Sequence, residues 1–159
     1  LGQLSPAMDS MGPVTFTSNY ALDAVLCHYV ALAEKEKIET DIRVMVPGRT
    51  VLPDDELCVV MGNLLENAVE ACKRQESGRK FIFLRCLQDD SRLSIVLDNS
   101  FMGDVQYERG YFRSSKRESV GIGVESVKAI VKRHGGIGTF VPEEKVFKVS
   151  IILPLKDEG

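Results

Sequence analysis

Apolar residues along this chain recur at intervals of three and four in three stretches, with β-rich segments between them. From Ser18 onward Leu22, Val25, Leu26, Tyr29, Val30 and Ala33 keep helical spacing, with Ser18 or Asn19 available as a cap and an end near Lys37. A strand from Ile38 to Val46 follows and closes in the turn Pro47-Gly48. Pro53-Asp54-Asp55 reads as the start of a second helix, its acidic side chains facing the positive end of the dipole, and LCVVMGNLLENAVEACKRQ carries the run until Ser77-Gly78 breaks it. Lys80 to Leu87 and Arg92 to Leu97 should pair as an antiparallel hairpin across Gln88-Asp89-Asp90-Ser91.

Ser100 to Val120 holds no single period: Gly103 and Gly110 interrupt it, and aromatic and basic residues mix, as in an active-site lid. Gly121 then opens a third helix, which runs to about Arg133 and ends at Gly135-Gly136, a residue type suited to positive φ. A last hairpin joins Gly138–Val141 to Val146–Pro154 around Pro142-Glu143-Glu144. This order predicts a two-layer α/β sandwich: a mixed, mostly antiparallel sheet covered on one face by three helices. Residues 18–156 form one domain in this reading, and 1–17, opening LGQLSPAMDSMGP, look like the remnant of an upstream segment.

Composition narrows the function classes more than it selects one. With 159 residues, 44% hydrophobic and 27% charged, the chain suits one ordinary globular core. The 20 basic and 23 acidic residues give a formal charge of −3 without a long block of either sign, so no nucleic-acid partner is expected. No apolar run approaches the roughly 18 residues that cross a bilayer, so no membrane contact is expected of this domain. Cys27, Cys58, Cys72 and Cys86 are far apart and form no CxxC pair, the pattern of free thiols in a reducing compartment.

Chemistry concentrates at three places. On the second helix Leu57, Met61, Leu64, Leu65, Ala68 and Cys72 make a core stripe, while Asn63 and Asn67 stand one turn apart on a neighbouring stripe with Glu70 and Arg74. Asn is a poor helix-interior residue, and two of them invite a reason. One is that amide oxygens serve a hard cation such as Mg2+; the other is that both decorate a wet face. Glu66 and Glu70 on the same rim read as solvated. The second place is the strand LSIVLDNSF, where Asp98 could accept a hydrogen bond from a base amine or merely belong to an Asp-Asn-Ser turn. The third is SVGIGVESVKAIVKRHGG, where Gly121 and Gly123 stand at the threshold of an amphipathic helix. Unpaired N–H groups and the positive dipole end would cradle phosphate there, and Arg113, Lys116 and Arg117 would bring positive charge to it; a flexible loop entering a helix is the plainer alternative.

Taken in order, GNLLENAVEA, LDNSF, the basic loop with Tyr111-Phe112-Arg113, and VGIGVESVKAIVKRHGG resemble the N, G1, F and G2 boxes of the GHKL ATPases. The resemblance runs from about Ser18 to Leu155 and implies the Bergerat-type ATP-binding fold. Asn63 is similar to the histidine kinases, because gyrase- and chaperone-type relatives place a water-activating glutamate there, so transfer to a protein side chain is implied rather than hydrolysis. The wording SNYALDAVL, GNLLENAVEAC, DNSF and GIGVESVKAIV is most similar to the peptide-sensing, quorum-type histidine kinases of Gram-positive bacteria.

Carried over residue by residue, the resemblance implies that Asn67 binds Mg2+ and Asn63 assists at the phosphates. It also implies that Asp98 takes the adenine amine and that Gly121 and Gly123 lie along the phosphates of ATP, with Arg113, Lys116 and Arg117 on the lid. Ser100 departs from the usual glycine, Glu70 from a phosphate-contacting lysine, and the quorum-type subfamily often lacks the aspartate found here as Asp98. The partners implied are ATP and ADP, a histidine-bearing dimerisation domain of the same receptor, and a response regulator, at the cytoplasmic end of a membrane-anchored protein. His28 and His134 read as structural, so no phosphoacceptor is expected here. Three other readings stay open: an anti-sigma-type serine kinase of the same fold, a degenerate interaction module without turnover, and a GHKL hydrolase.

Overall fold

The computed structural model describes residues 15–102 and 117–155, the side chains of 117–122 excepted. Helix α1 (Tyr20–Lys35) is followed by strand β1 (Glu39–Met45), helix α2 (Asp54–Arg74), strands β2 (Phe81–Gln88) and β3 (Arg92–Ser100), helix α3 (Arg117–Arg133) and strands β4 (Ile137–Glu143) and β5 (Val146–Pro154). The sheet has the order β1-β2-β3-β5-β4, with β1 and β2 parallel and every other neighbouring pair antiparallel. The fold is the expected α/β sandwich.

Period two in the strands and the helical stripes meet in a single core. Leu84, Leu93, Ile95, Leu97, Ile151 and Leu153 face the helices and are almost wholly buried. Against them lie Leu22 and Leu26 of α1, Leu57, Met61, Leu64 and Leu65 of α2, and Val127, Ile130 and Val131 of α3. Each such side chain contributes roughly 1.5–3 kcal/mol on leaving water. The predicted stripe of α2 is thus its buried stripe, and Asn63, Asn67, Glu70 and Arg74 lie half-buried beside it.

The start of α1 is pinned by buried polar groups. Asn19 Oδ1 accepts the Leu22 N–H at 2.9 Å, while its Nδ2 donates to the Gly48 carbonyl at 3.0 Å and to Asp54 Oδ1 at 3.2 Å. One side chain therefore caps α1 and ties it to the first turn of α2. Asp23 Oδ1 accepts the Phe16 and Thr17 N–H groups, which fixes how the chain enters the helix.

Two boundaries differ from the sequence-based reading. Helix α3 starts at Arg117 rather than Gly121, so the last four residues of the predicted lid are helical. Arg and Glu are good helix formers, each glycine costs only about 1 kcal/mol, and the buried row Val124, Val127, Ile130, Val131 outweighs that. Strand β3 continues through Asp98-Asn99-Ser100 instead of turning after Leu97, because β2 and β5 flank it there: Asn99 pairs with Ile82 and Phe147, and Ser100 with Val146. Partners on both sides outweigh the turn preference of those residues.

Candidate functional site

Asn63 faces α3 at Gly123 across the gap between the two helices, and Asn67 stands half-buried one turn further along α2. A Cβ added at position 123 would lie 3.5 Å from both Cγ and Oδ1 of Asn63. Two segments 60 positions apart, each singled out in the sequence, are therefore in contact distance. Among the described residues neither asparagine amide has a hydrogen-bond partner, so both retain free acceptor oxygens beside the gap.

Gly121 and Gly123 occupy the fifth and seventh positions of α3, one turn inside the helix and not at its threshold. The N–H groups without an intrahelical acceptor belong to the preceding turn, which begins at Arg117. Arg113 and Lys116 lie outside the described residues, as does the middle of the predicted lid; for Arg117 only its place at the start of α3 is described.

Asp98 is not brought to this gap. It stands on the face of the sheet that carries no helix, opposite Phe83 on β2 and Lys148 on β5, and its Oδ2 lies 3.8 Å from Lys148 Nζ. Asn99, one residue on, takes the inward direction with Leu93, Ile95 and Leu97 and is 2% exposed. The alternation in LSIVLDNSF already contains this: four inward positions two apart end on 99, not 98.

Ser100 joins three elements. Its Oγ accepts the Phe81 N–H at 3.0 Å and lies 3.5 Å from Cys72 Sγ, while that thiol also reaches the Phe81 and Ser100 carbonyls. The side chain thus locks the end of β3 to the start of β2 and to α2. Burial pushes the Cys72 thiol up from its ordinary range, and the Cys86 thiol up to about 12, which favours the protonated form of both. All four cysteines are free thiols, as expected.

The rim carboxylates have structural partners. Glu66 Oε1 accepts the Tyr29 hydroxyl at 2.9 Å; desolvation first, and then this bond, push the phenol up to about 12. Glu70 Oε2 lies 4.0 Å from Lys73 Nζ. Of the histidines, His28 is exposed with its ring edge-on to Tyr29, and His134 Nε2 lies 2.6 Å from Glu56 Oε1 at the far end of α3. Among the described residues no group of three His, Cys, Asp or Glu is placed to hold a metal ion.

A family model described as the GHKL domain matches residues 54–154, the stretch from the start of α2 to the end of β5. The chain belongs to this family. Among solved structures, this GHKL domain is similar to the nucleotide-free catalytic domain of histidine kinase ThkA, with a TM-score of 0.67 and 18% identity over 89% of this chain and 97% of that one. It is also similar to the mycobacterial sensor histidine kinase MprB, with a TM-score of 0.58 and 21% identity over 85% of this chain and 93% of that one. At such identities the likeness is one of fold. No curated protein matches by sequence.

Proposed function

We propose that this GHKL domain binds Mg-ATP between α2 and α3 and donates the γ-phosphate to a histidine on a separate dimerisation domain. The observation that carries the reading is the contact of Gly123 with Asn63: the asparagine helix and the glycine-bearing helix form one gap, edged by unpartnered amide oxygens and by the first turn of α3. Phosphoryl transfer asks for positioning and charge neutralisation more than for covalent chemistry, and such a gap offers both.

The donor set fits Mg2+ in a particular way. A neutral amide oxygen is a good ligand for a hard cation, yet one or two such oxygens do not hold Mg2+ without phosphates and water to complete the octahedron. Asn67 is the protein ligand in this proposal, and bound Mg2+ supplies charge neutralisation at the triphosphate. Asn63 orients the phosphates, the unpaired N–H groups at the start of α3 accept their charge, and Gly121 and Gly123 let the helix backbone lie along them. Arg113, Lys116 and Arg117 add cations from the connecting segment. In transfer, the bond from the γ-phosphorus to the bridging oxygen breaks, a bond to an imidazole nitrogen forms, and ADP leaves. A neutral amide at position 63 cannot take a proton from water, which favours transfer over hydrolysis. The wider context in this proposal is a two-component receptor of the peptide-sensing type, with a response regulator as the next acceptor.

Calorimetric titration with ATP, with and without Mg2+, tests the binding step: wild type should show metal-assisted binding that weakens at least tenfold in Asn67→Ala. No adenine-nucleotide affinity at all would exclude the assignment. Addition of a histidine-bearing dimerisation domain and ATP should then yield acid-labile phosphate, whereas label on serine would establish the anti-sigma-type reading instead.

A further inference from the structure

We propose that the free edge of β4 pairs with β4 of a second copy of this chain, antiparallel and centred on Thr139, so that two five-stranded sheets join into one. Strand β4 closes the sheet on one side, and among the described residues no strand pairs with its outer edge. Such an edge presents a row of N–H and carbonyl groups that a further strand can meet. The inference is independent of whether the domain binds nucleotide.

The two edges of the sheet are built differently. On the helix-free face β1 carries Glu39, Asp41 and Arg43, with Arg79 paired to Glu39 at 2.8 Å and Arg43 to Asp41 at 3.1 Å. Charge along an edge opposes the addition of a strand. The first five residues of β4, IGTFV, carry none; Pro142 and Glu143 come only after them. On the same helix-free face Ile137 is 70% and Val141 46% exposed, and Ile152 of β5, the neighbour of Ile137, is 38% exposed. On the other face the Lys128 ammonium lies over the Phe140 ring, 5.4 Å from its centroid, and so belongs to α3 and not to the strand edge.

A second copy is the partner because this strand complements itself. With a twofold axis through the Thr139 pair, Ile137 faces Val141 of the second copy and Thr139 faces Thr139, all on the helix-free face. On the helix-covered face Gly138 faces Phe140, a large side chain opposite none. Paired β-branched apolar residues, paired threonines and an aromatic set against a glycine are all favourable cross-strand combinations. Neighbouring registers lose this match. An axis at Phe140 sets Ile137 against Glu143, and one at Gly138 sets Val141 against Gly135, which lies in the turn with φ of 71°. A standard interface takes roughly 20–30 residues from each side, so five from each make a weak, reversible dimer, with a dissociation constant of about 0.1–1 mM.

Sedimentation equilibrium of the wild-type chain at up to about 1 mM should show monomer and dimer in exchange at this strength. Thr139→Lys and Thr139→Glu each place like charges on the axis at an exposed site, so each should associate at least tenfold more weakly, with unchanged circular dichroism and thermal midpoint. An equimolar mixture of the two should recover dimer, because Lys then faces Glu. Residues opposite one another in an antiparallel pair stand within the roughly 4.4–6.8 Å that a disulfide spans. Thr139→Cys should therefore cross-link to itself at least tenfold faster than wild type, whose four thiols lie elsewhere. A wild type that stays monomeric throughout overturns the proposal and leaves the edge to a strand of another protein. Dimers that survive in both charged variants, or a mixture that associates no better than either variant alone, overturn it as well.

Discussion

Single residues carry more of this molecule's behaviour than their sequence types suggest. Lys37 is an example: it follows α1 with φ of 60°, in the left-handed region, where its N–H bonds to the Glu34 carbonyl at 3.0 Å. A side chain with a Cβ pays roughly 1 kcal/mol or more for that conformation, whereas glycine does not. Lys37→Gly should therefore raise stability by about 1 kcal/mol in urea unfolding, with no change in nucleotide binding. Asp98 and Asn99 teach the same lesson about types: the carboxylate is the more eloquent residue in the sequence, and the amide is the one facing the interior.

At the level of elements, the ends of helices α2 and α3 are tied together away from the candidate site. Glu56, in the first turn of α2, bonds Arg133 and His134 at the end of α3. Those hydrogen bonds, that of Arg133 first, hold the Glu56 carboxyl below its ordinary value. Its folded value is thus lower than its unfolded one, so the stabilisation is complete above about pH 5 and is lost as pH falls through the folded value. Glu56→Gln should lower the midpoint of thermal unfolding at pH 7, by no more than ~1 kcal/mol in stability for a partly exposed pair. Below the carboxylate range the two proteins should converge; a gap that persisted there would mean that the charge is not what matters.

The turn from α3 into β4 is tighter still. A Cβ at Gly136 would run into the Leu153 side chain and lie 2.5 Å from the Ile152 carbonyl oxygen of β5. The backbone oxygen cannot move without disturbing the β4–β5 pairing, so Gly136→Ala should destabilise by about 1–3 kcal/mol, read from chemical denaturation. Gly135, with φ of 71°, needs its freedom for conformation rather than for space.

For the whole molecule, the consequence of one core is that a nucleotide bound as proposed would be linked to the fold. Helices α2 and α3 both supply the core and both edge the candidate site. A ligand that binds only the native state at 100 times its dissociation constant adds roughly 2.7 kcal/mol. Mg-ATP should raise the thermal midpoint of wild type by several degrees and that of Asn67→Ala by about half as much or less; an equal shift in both would remove Asn67 from the site.

Periodicity determined most of the architecture. Among the described residues the order of three helices and five strands, the buried stripe of α2 and both hairpins follow from local spacing, because each element must bury one face and a period of 3.6 or 2 says which. The order of the boxes along the chain was legible too, and with it the family. What local rules could not decide was where elements end when neighbours supply partners. Strand β3 outruns its turn residues because β2 and β5 bond it on both sides, and α3 starts a turn early because its apolar row packs on the core. The contact of Asn63 with Gly123 likewise exists only in three dimensions, whereas the opposed directions of Asp98 and Asn99 were already present in the alternation of LSIVLDNSF. Sequence states which side chains are present and at what period; only packing determines where elements end and which distant segments, such as those of Asn63 and Gly123, come into contact.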